Sequence, residues 1–350
     1  MNPTRGSMFA ALCAIFLPLA GTAAAQTVQI NGAGATFPYP IYSKWFSEYN
    51  KIHPDVEINY QSIGSGGGIR QFAEQTVDFG GTDAPMTDEE LAKAKGGAVL
   101  HVPTAMGADV VIYNLPGVTQ PLKMTPDVIA DIYLGKLTKW NDQRLAALNP
   151  GVTLPSQDII VVHRSDGSGT TYVWTDYLTT VSPEWAKQVG RAKDVKWPVG
   201  LGGKGNEGVA GQVKQLAGAI GYVELAYAVQ NAASVALVRN AAGQYVAPSV
   251  TSITAAAAGV ANGLPANTDY RISIINAPGH DAYPISSMTW IILYRKQTDA
   301  VKGKKLVDFL RWGLSAGQKL EPALDYAPLP DAMLAPLRAR VGSVTIAAAH

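Results

Sequence analysis

Apolar and polar residues follow two different rhythms along this chain. Residues 28–32 ("VQING"), 56–64 ("VEINYQSIG"), 108–114 ("ADVVIYN"), 158–164 ("DIIVVHR") and 287–295 ("SMTWIILYR") are short apolar or alternating runs that predict strands. Residues 41–50 ("IYSKWFSEYN") instead place Ile41, Trp45 and Tyr49 four apart, with Tyr42 and Phe46 beside them. Residues 304–314 ("KKLVDFLRWGL") bring Leu306, Phe309, Leu310 and Leu314 to one side. That spacing predicts helices buried on one face, and Pro40 suits a first helical turn. Strand-like runs alternating with amphipathic helices predict an α/β architecture. Residues 261–269 ("ANGLPANTD") read as loop. The apolar stretch at 232–238 is too short for a membrane span, which takes ~20 residues. No internal repeat or long linker interrupts the 350 residues, which suffice for one large domain or two lobes.

The N-terminus changes this picture. Arg5 precedes an apolar run at 8–20, and "TAAAQ" then supplies small residues up to Ala25. This is the layout of a cleavable secretory signal over 1–25, cut before Gln26. A retained membrane anchor is the alternative, and the run is short for it. The single cysteine, Cys13, would leave with the signal, so no disulfide, thiolate metal site or cysteine nucleophile is expected. Removing Arg5 balances the remaining basic and acidic residues. The lack of a basic stripe argues against a nucleic-acid partner. His53, His101, His163, His280 and His350 are scattered without metal-ligand spacing. They read as surface or packing residues, and no metal or cofactor is expected.

One stretch, "RSDGSGTT" at 164–171, poses a chemical question: a fixed cation, an acid, two glycines and several hydroxyls occupy one turn before a helical run. The same order of strand, small-residue turn, hydroxyl and helix recurs at "VQINGAGATF" with Thr36 and at "EINYQSIGSGGGIRQFAEQ" with Ser65. The first N–H groups of a helix have no internal acceptor, and the helix dipole makes that end electropositive. Glycine lets a ligand approach them, so such a turn can hold an anion. Ser and Thr are also ordinary helix caps, which is the alternative at each turn taken singly. Three such turns in one α/β chain point to a shared oxyanion at the carboxyl ends of the strands. Arg164 would add a charged fork. Asp166 is either its partner or a turn-forming residue.

Asp83 in "FGGTDAP" is the odd member, because a carboxylate repels an anion unless that anion carries a proton. Phosphate at neutral pH keeps a proton and sulfate has none, so Asp83 would exclude sulfate. The alternative is a solvated turn aspartate.

Other chemistries fit less well. "GKGNEG" at 203–208 matches G-x-G-x-x-G, with Glu224 near the fingerprint's acidic position, but "VKWPVGLG" before it is a poor strand. A structural turn is the expectation there rather than a dinucleotide site. A secreted phosphate-ester hydrolase would need a nucleophile and base or a metal pair. Ser168 has only His163 nearby in sequence, on the preceding strand.

Eight stretches together resemble one family: "GAGATFPYPIYSKW", "YQSIGSGGGIRQ", "VDFGGTDAPM", "IYLGKLTKWND", "LNPGVTLPSQDI", "RSDGSGTTYVWTDYL", "VKWPVGLGGKGNEGVAG" and "GAIGYVELAYA". The chain is similar, over nearly all of its mature length, to the periplasmic phosphate-binding proteins that serve phosphate-specific ABC importers. The resemblance implies a two-lobed α/β periplasmic binding protein fold, type II-like, with the ligand in the interlobe cleft. It implies lobe 1 from 26–106 and 282–350, and lobe 2 from 107–281. It implies phosphate ligands at Thr36, Phe37 (backbone N–H), Ser65, Asp83, Arg164, Ser168, Gly169 and Thr170, with Asp166 supporting Arg164. Gly66 departs from relatives that carry a second serine, which would remove an optional donor. The resemblance also implies a non-enzymatic, periplasmic protein, monomeric when soluble, with permease subunits as partners. A binding protein for another oxyanion such as arsenate remains open.

Overall fold

One strand organises the molecule: Val99–Tyr113 runs for 15 residues and is buried along almost its whole length. In this computed structural model, residues 27–258, 264–265 and 268–348 are described. The signal over 1–25 and most of the loop at 261–269 lie outside them.

In chain order the framework is β1 (Val28–Gly34), α1 (Tyr39–Ile52), β2 (Val56–Ser62), α2 (Ser65–Ala73), β3 (Phe79–Thr82) and β4 (Val99–Tyr113). It continues with β5 (Ile160–Arg164), α3 (Gly169–Val181), β6 (Leu201–Gly203), α4 (Gly205–Gln215), β7 (Ala219–Glu224), β8 (Ser286–Tyr294) and α5 (Ala300–Gly313). The main sheet runs β2-β1-β3-β8-β4-β7-β5-β6, with a short strand at Ser234–Val235 also pairing with β4. The first half of β4, through Ala108, pairs antiparallel with β8. From Asp109 onward it pairs with β7 instead. One continuous strand thus links two half-sheets, each with its own helices.

The predicted strands and helices are all present, and β4 is longer than its sequence signal. The strand signal at 108–114 covers only its second half, because Pro103 and Gly107 interrupt the apolar pattern upstream. The register between β4 and β8 shifts between Thr289 and Trp290, opposite Pro103 and Ala105. This irregularity accommodates a residue that cannot donate to the ladder. In α1, Ile41, Tyr42, Trp45 and Tyr49 are buried as their spacing requires. Trp45 also donates from Nε1 to the Gly317 carbonyl at 3.0 Å. In α5, Leu306, Phe309 and Leu310 face inward and pack edge-on against Trp45 through Phe309. Burying a large side chain of this kind contributes roughly 1.5–3 kcal/mol.

Candidate functional site

The carboxyl ends of β1, β2, β3 and β5 converge where the two half-sheets face each other. Thr36 lies in the turn after β1, Ser65 opens α2 after β2, Asp83 follows β3, and Ser168 caps α3 after β5. The capping role of Ser168 is real: its Oγ accepts from the Thr171 N–H at 3.0 Å. Ser65 is the first helical residue rather than the cap, and its Oγ accepts from the Asp83 N–H at 3.2 Å. Thr36, Phe37, Ser65, Asp83, Arg164, Ser168 and Thr170 are all at most 2% exposed. The eight residues expected to hold the ligand therefore lie in one buried cluster, with Asp166 half-buried at its edge.

The cluster is rich in donors without acceptors. None of the backbone N–H groups of Thr36, Phe37, Ser65, Gly169 and Thr170 has an acceptor among the described residues. Buried backbone N–H groups are almost always paired, so five orphans gathered at these strand-to-helix turns make the cluster a candidate anion site. The halves meet tightly here, with the Gly66 N–H donating to the Gly167 carbonyl at 2.8 Å. A Cβ on Gly169 would lie 2.3 Å from Asp83 Oδ2 and 2.4 Å from Ser65 Oγ, so only glycine fits. A Cβ on Gly66 would press within 3.2 Å of the Gly167 backbone. Absence of a side chain at Gly66 is therefore a matter of close approach as well as of a missing donor.

Charge is arranged in pairs. Arg164 donates to Asp166 Oδ1 through Nε at 2.8 Å and to Oδ2 through Nη2 at 2.5 Å, the bidentate geometry of a strong ion pair. Burial alone would lower the Arg164 pKa, yet the Asp166 carboxylate holds it above the ordinary value. Burial likewise opposes ionisation of Asp166, but the Arg164 fork and the Gly205 N–H keep its pKa low. Asp166 is thus a partner of Arg164, and Nη1 of Arg164 remains to donate to Thr170 Oγ1 at 3.1 Å. Asp83 behaves differently. Its Oδ1 accepts from Thr289 Oγ1 at 2.8 Å, while the buried Oδ2 has no partner. Burial pushes its pKa up to about 7, against smaller lowering by Thr289, Arg164 and Ser65. With Oδ2 unpartnered, the ionised Asp83 carboxylate is an acceptor set among anion donors.

Comparison with known proteins fits this geometry. A family model described as "PBP superfamily domain" matches residues 20–316. "Phosphate-binding protein PstS" of Pasteurella multocida is 45% identical over 338 residues, covering 96% of this chain and 95% of that protein. The namesake from Xylella fastidiosa (strain Temecula1) is 47% identical, covering 87% of this chain and 82% of that protein. The chain belongs to the PstS family of phosphate-binding proteins.

PstS proteins are transport binding proteins and not enzymes. Solved structures give the same fold. A phosphate-binding protein from Stenotrophomonas maltophilia superposes with a TM-score of 0.71 at 20% identity, covering 90% of this chain and 94% of that one. A high affinity periplasmic phosphate-binding protein solved with phosphate bound gives 0.70 at 20% identity, covering 89% and 93%. The two-lobed periplasmic binding protein fold expected from sequence is therefore the fold of this PstS chain.

Sequence reasoning missed two residues of this cluster. Thr289 reaches Asp83 from β8, 206 positions away, and nothing local marks it. Asn206 lies in "GKGNEG", expected to be a structural turn after a poor strand. The structure corrects this: Leu201–Gly203 is a true, three-residue strand, and α4 begins at Gly205. The stretch is a fourth strand-to-helix junction at the same cleft, and Asn206 is its contribution. Its glycines had been weighed only as a dinucleotide fingerprint, and the brevity of β6 hid the junction.

Proposed function

We propose that this chain binds inorganic phosphate in the periplasm, after export by its N-terminal signal, and passes it to the permease subunits of an ABC importer. The observation that carries the reading is the pairing of opposites in one buried cluster. Five unpartnered backbone donors and the Arg164 N–H groups not spent on Asp166 or Thr170 suit an anion, and one unpartnered carboxylate oxygen, Asp83 Oδ2, suits a proton on it. An oxyanion carrying a proton satisfies both. The names of the relatives and the bound phosphate of a structural neighbour support the same choice.

On this reading the ligand is held by Thr36, the Phe37 N–H, Ser65, Arg164, Ser168, Gly169 and Thr170, while Asp83 accepts its proton. Asp166 keeps Arg164 ionised and aimed. Sulfate is rejected because an oxygen without a proton would meet the Asp83 carboxylate inside a water-poor cleft, where unpaired charge is costly. The lobes are residues 26–106 with 282–350, and 107–281. The change of partner along β4 near Ala108–Asp109 supports a crossing close to this boundary. Calorimetry of the mature protein tests the function. Saturable heat with phosphate, little with sulfate at equal ionic strength, and no release of phosphate from a nitrophenyl ester are the expected results. Ester turnover would make it a hydrolase.

A further inference from the structure

Asn206 connects both sides of the cleft. Its Nδ2 donates to Thr36 Oγ1 at 2.7 Å and to Thr170 Oγ1 at 3.1 Å. Its own N–H reaches Thr36 Oγ1 at 3.3 Å, and its Oδ1 accepts from the Glu224 N–H at 2.9 Å. It is fully buried. The Glu224 N–H fixes the amide orientation, since the reversed side chain would set two donors against each other.

A hydroxyl has two acceptor lone pairs and one proton. Thr36 Oγ1 accepts twice, from Asn206 Nδ2 and Asn206 N. Thr170 Oγ1 also accepts twice, from Asn206 Nδ2 and Arg164 Nη1. Each has its acceptor capacity filled and only its proton left to give. We propose that Asn206 is a positioning residue for specificity: it converts both threonine hydroxyls into obligate donors, so that neither competes with Asp83 Oδ2 for the ligand's proton. Without that constraint either hydroxyl could rotate and accept, and a more protonated anion would be tolerated. At these two hydroxyls the filter thus disfavours a second proton on the oxyanion. Asn206 also ties the β1 turn to the α3 N-terminus, so donor polarity and closure are set together.

The inference rests on the phosphate reading above, and the test separates the two. Phosphate titration of the wild-type protein comes first, and absence of binding there overturns the function itself. With wild-type binding in hand, Asn206→Ala is expected to weaken phosphate roughly ten- to a hundredfold near neutral pH. In a double-mutant cycle, most of that loss is expected to vanish in a Thr36→Val background. Affinity is also expected to fall less steeply in Asn206→Ala than in wild type as pH drops and phosphate gains a second proton. If Asn206→Ala does not fold, as judged by its thermal melt, Asn206→Asp keeps the acceptor for the Glu224 N–H, and the same cycle is run on it. Additive losses with parallel pH profiles would reduce Asn206 to a scaffold residue and overturn the proposal.

Discussion

Arg164 and Asp83 both sit in the buried cluster but answer to opposite demands. Arg164 is paired, charged and aimed. Arg164→Ala removes a charge-assisted interaction of ~1.5–3 kcal/mol, so phosphate affinity is expected to drop about 10- to 150-fold by calorimetry. It also strands Asp166. Asp83 is held near its protonation midpoint at neutral pH, with its pKa pushed up to about 7 by burial. As pH falls below that value the ligand-free carboxyl gains a proton and can donate. Sulfate affinity is therefore expected to rise on acidification from about pH 8 to pH 6, tracking that protonation. Competition assays at fixed ionic strength read this, and sulfate rejection unchanged with pH would count against Asp83 as the discriminator. Residues announced by local sequence, such as Thr36, Ser65 and Ser168, were legible because each follows a strand inside a small-residue turn. Thr289 and Asn206 were not: one arrives through a distant antiparallel strand and the other through a three-residue one.

Elements bring these residues within reach, and their junctions tolerate little added volume. Gly169 starts α3 against Asp83 and Ser65. Gly169→Ala inserts a methyl group into that contact, so the halves are expected to stay apart and phosphate binding to be lost by calorimetry. The variant's far-ultraviolet circular dichroism should match wild type, since alanine suits a helix. Ser168→Ala is the milder change: it loses a helix cap worth ~0.5–2 kcal/mol together with one hydroxyl proposed to meet the ligand. The helices α1 and α5 and most strands were readable from period alone, because one-sided burial imposes it. The full length of β4 was not, since a proline and a glycine within it break the apolar run while the register shift against β8 keeps the strand paired. That strand connects the two half-sheets, and the part its sequence signal omits is the part that pairs with β8.

At the scale of the whole molecule, ion pairs cross the proposed lobe boundary. Lys193 pairs with Glu90 at 2.7 Å, and Arg271 with Asp88 at 2.7 Å. On the proposed boundaries both pairs bridge the lobes. The backbone carbonyl of Lys193 also accepts from the Ser168 N–H at 2.8 Å, tying one bridge to the site. Small-angle scattering is expected to show compaction on adding phosphate, and identical profiles would argue against hinge closure. Asp83 is one of several buried carboxyls with raised pKa values, the others being Asp109, Glu224 and Glu321, all displaced chiefly by burial. For Asp83 the folded protein binds more protons than the unfolded chain between about 3.8 and about 7. Stability from this group is therefore lost as pH rises through that window, and the other three act in the same direction. The melting temperature of the ligand-free protein is expected to fall between about pH 5 and pH 8, which a scanning melt checks. On the proposed reading, one carboxylate reads the proton of the bound anion. Competition of phosphate and sulfate for wild type and Asp83→Asn, at fixed ionic strength and near-neutral pH, addresses it most directly. The substituted amide keeps the shape and adds N–H donors, so the variant is expected to retain phosphate while sulfate binding emerges and the selectivity ratio falls. A folded Asp83→Asn protein that still rejects sulfate as strongly as wild type would contradict the account.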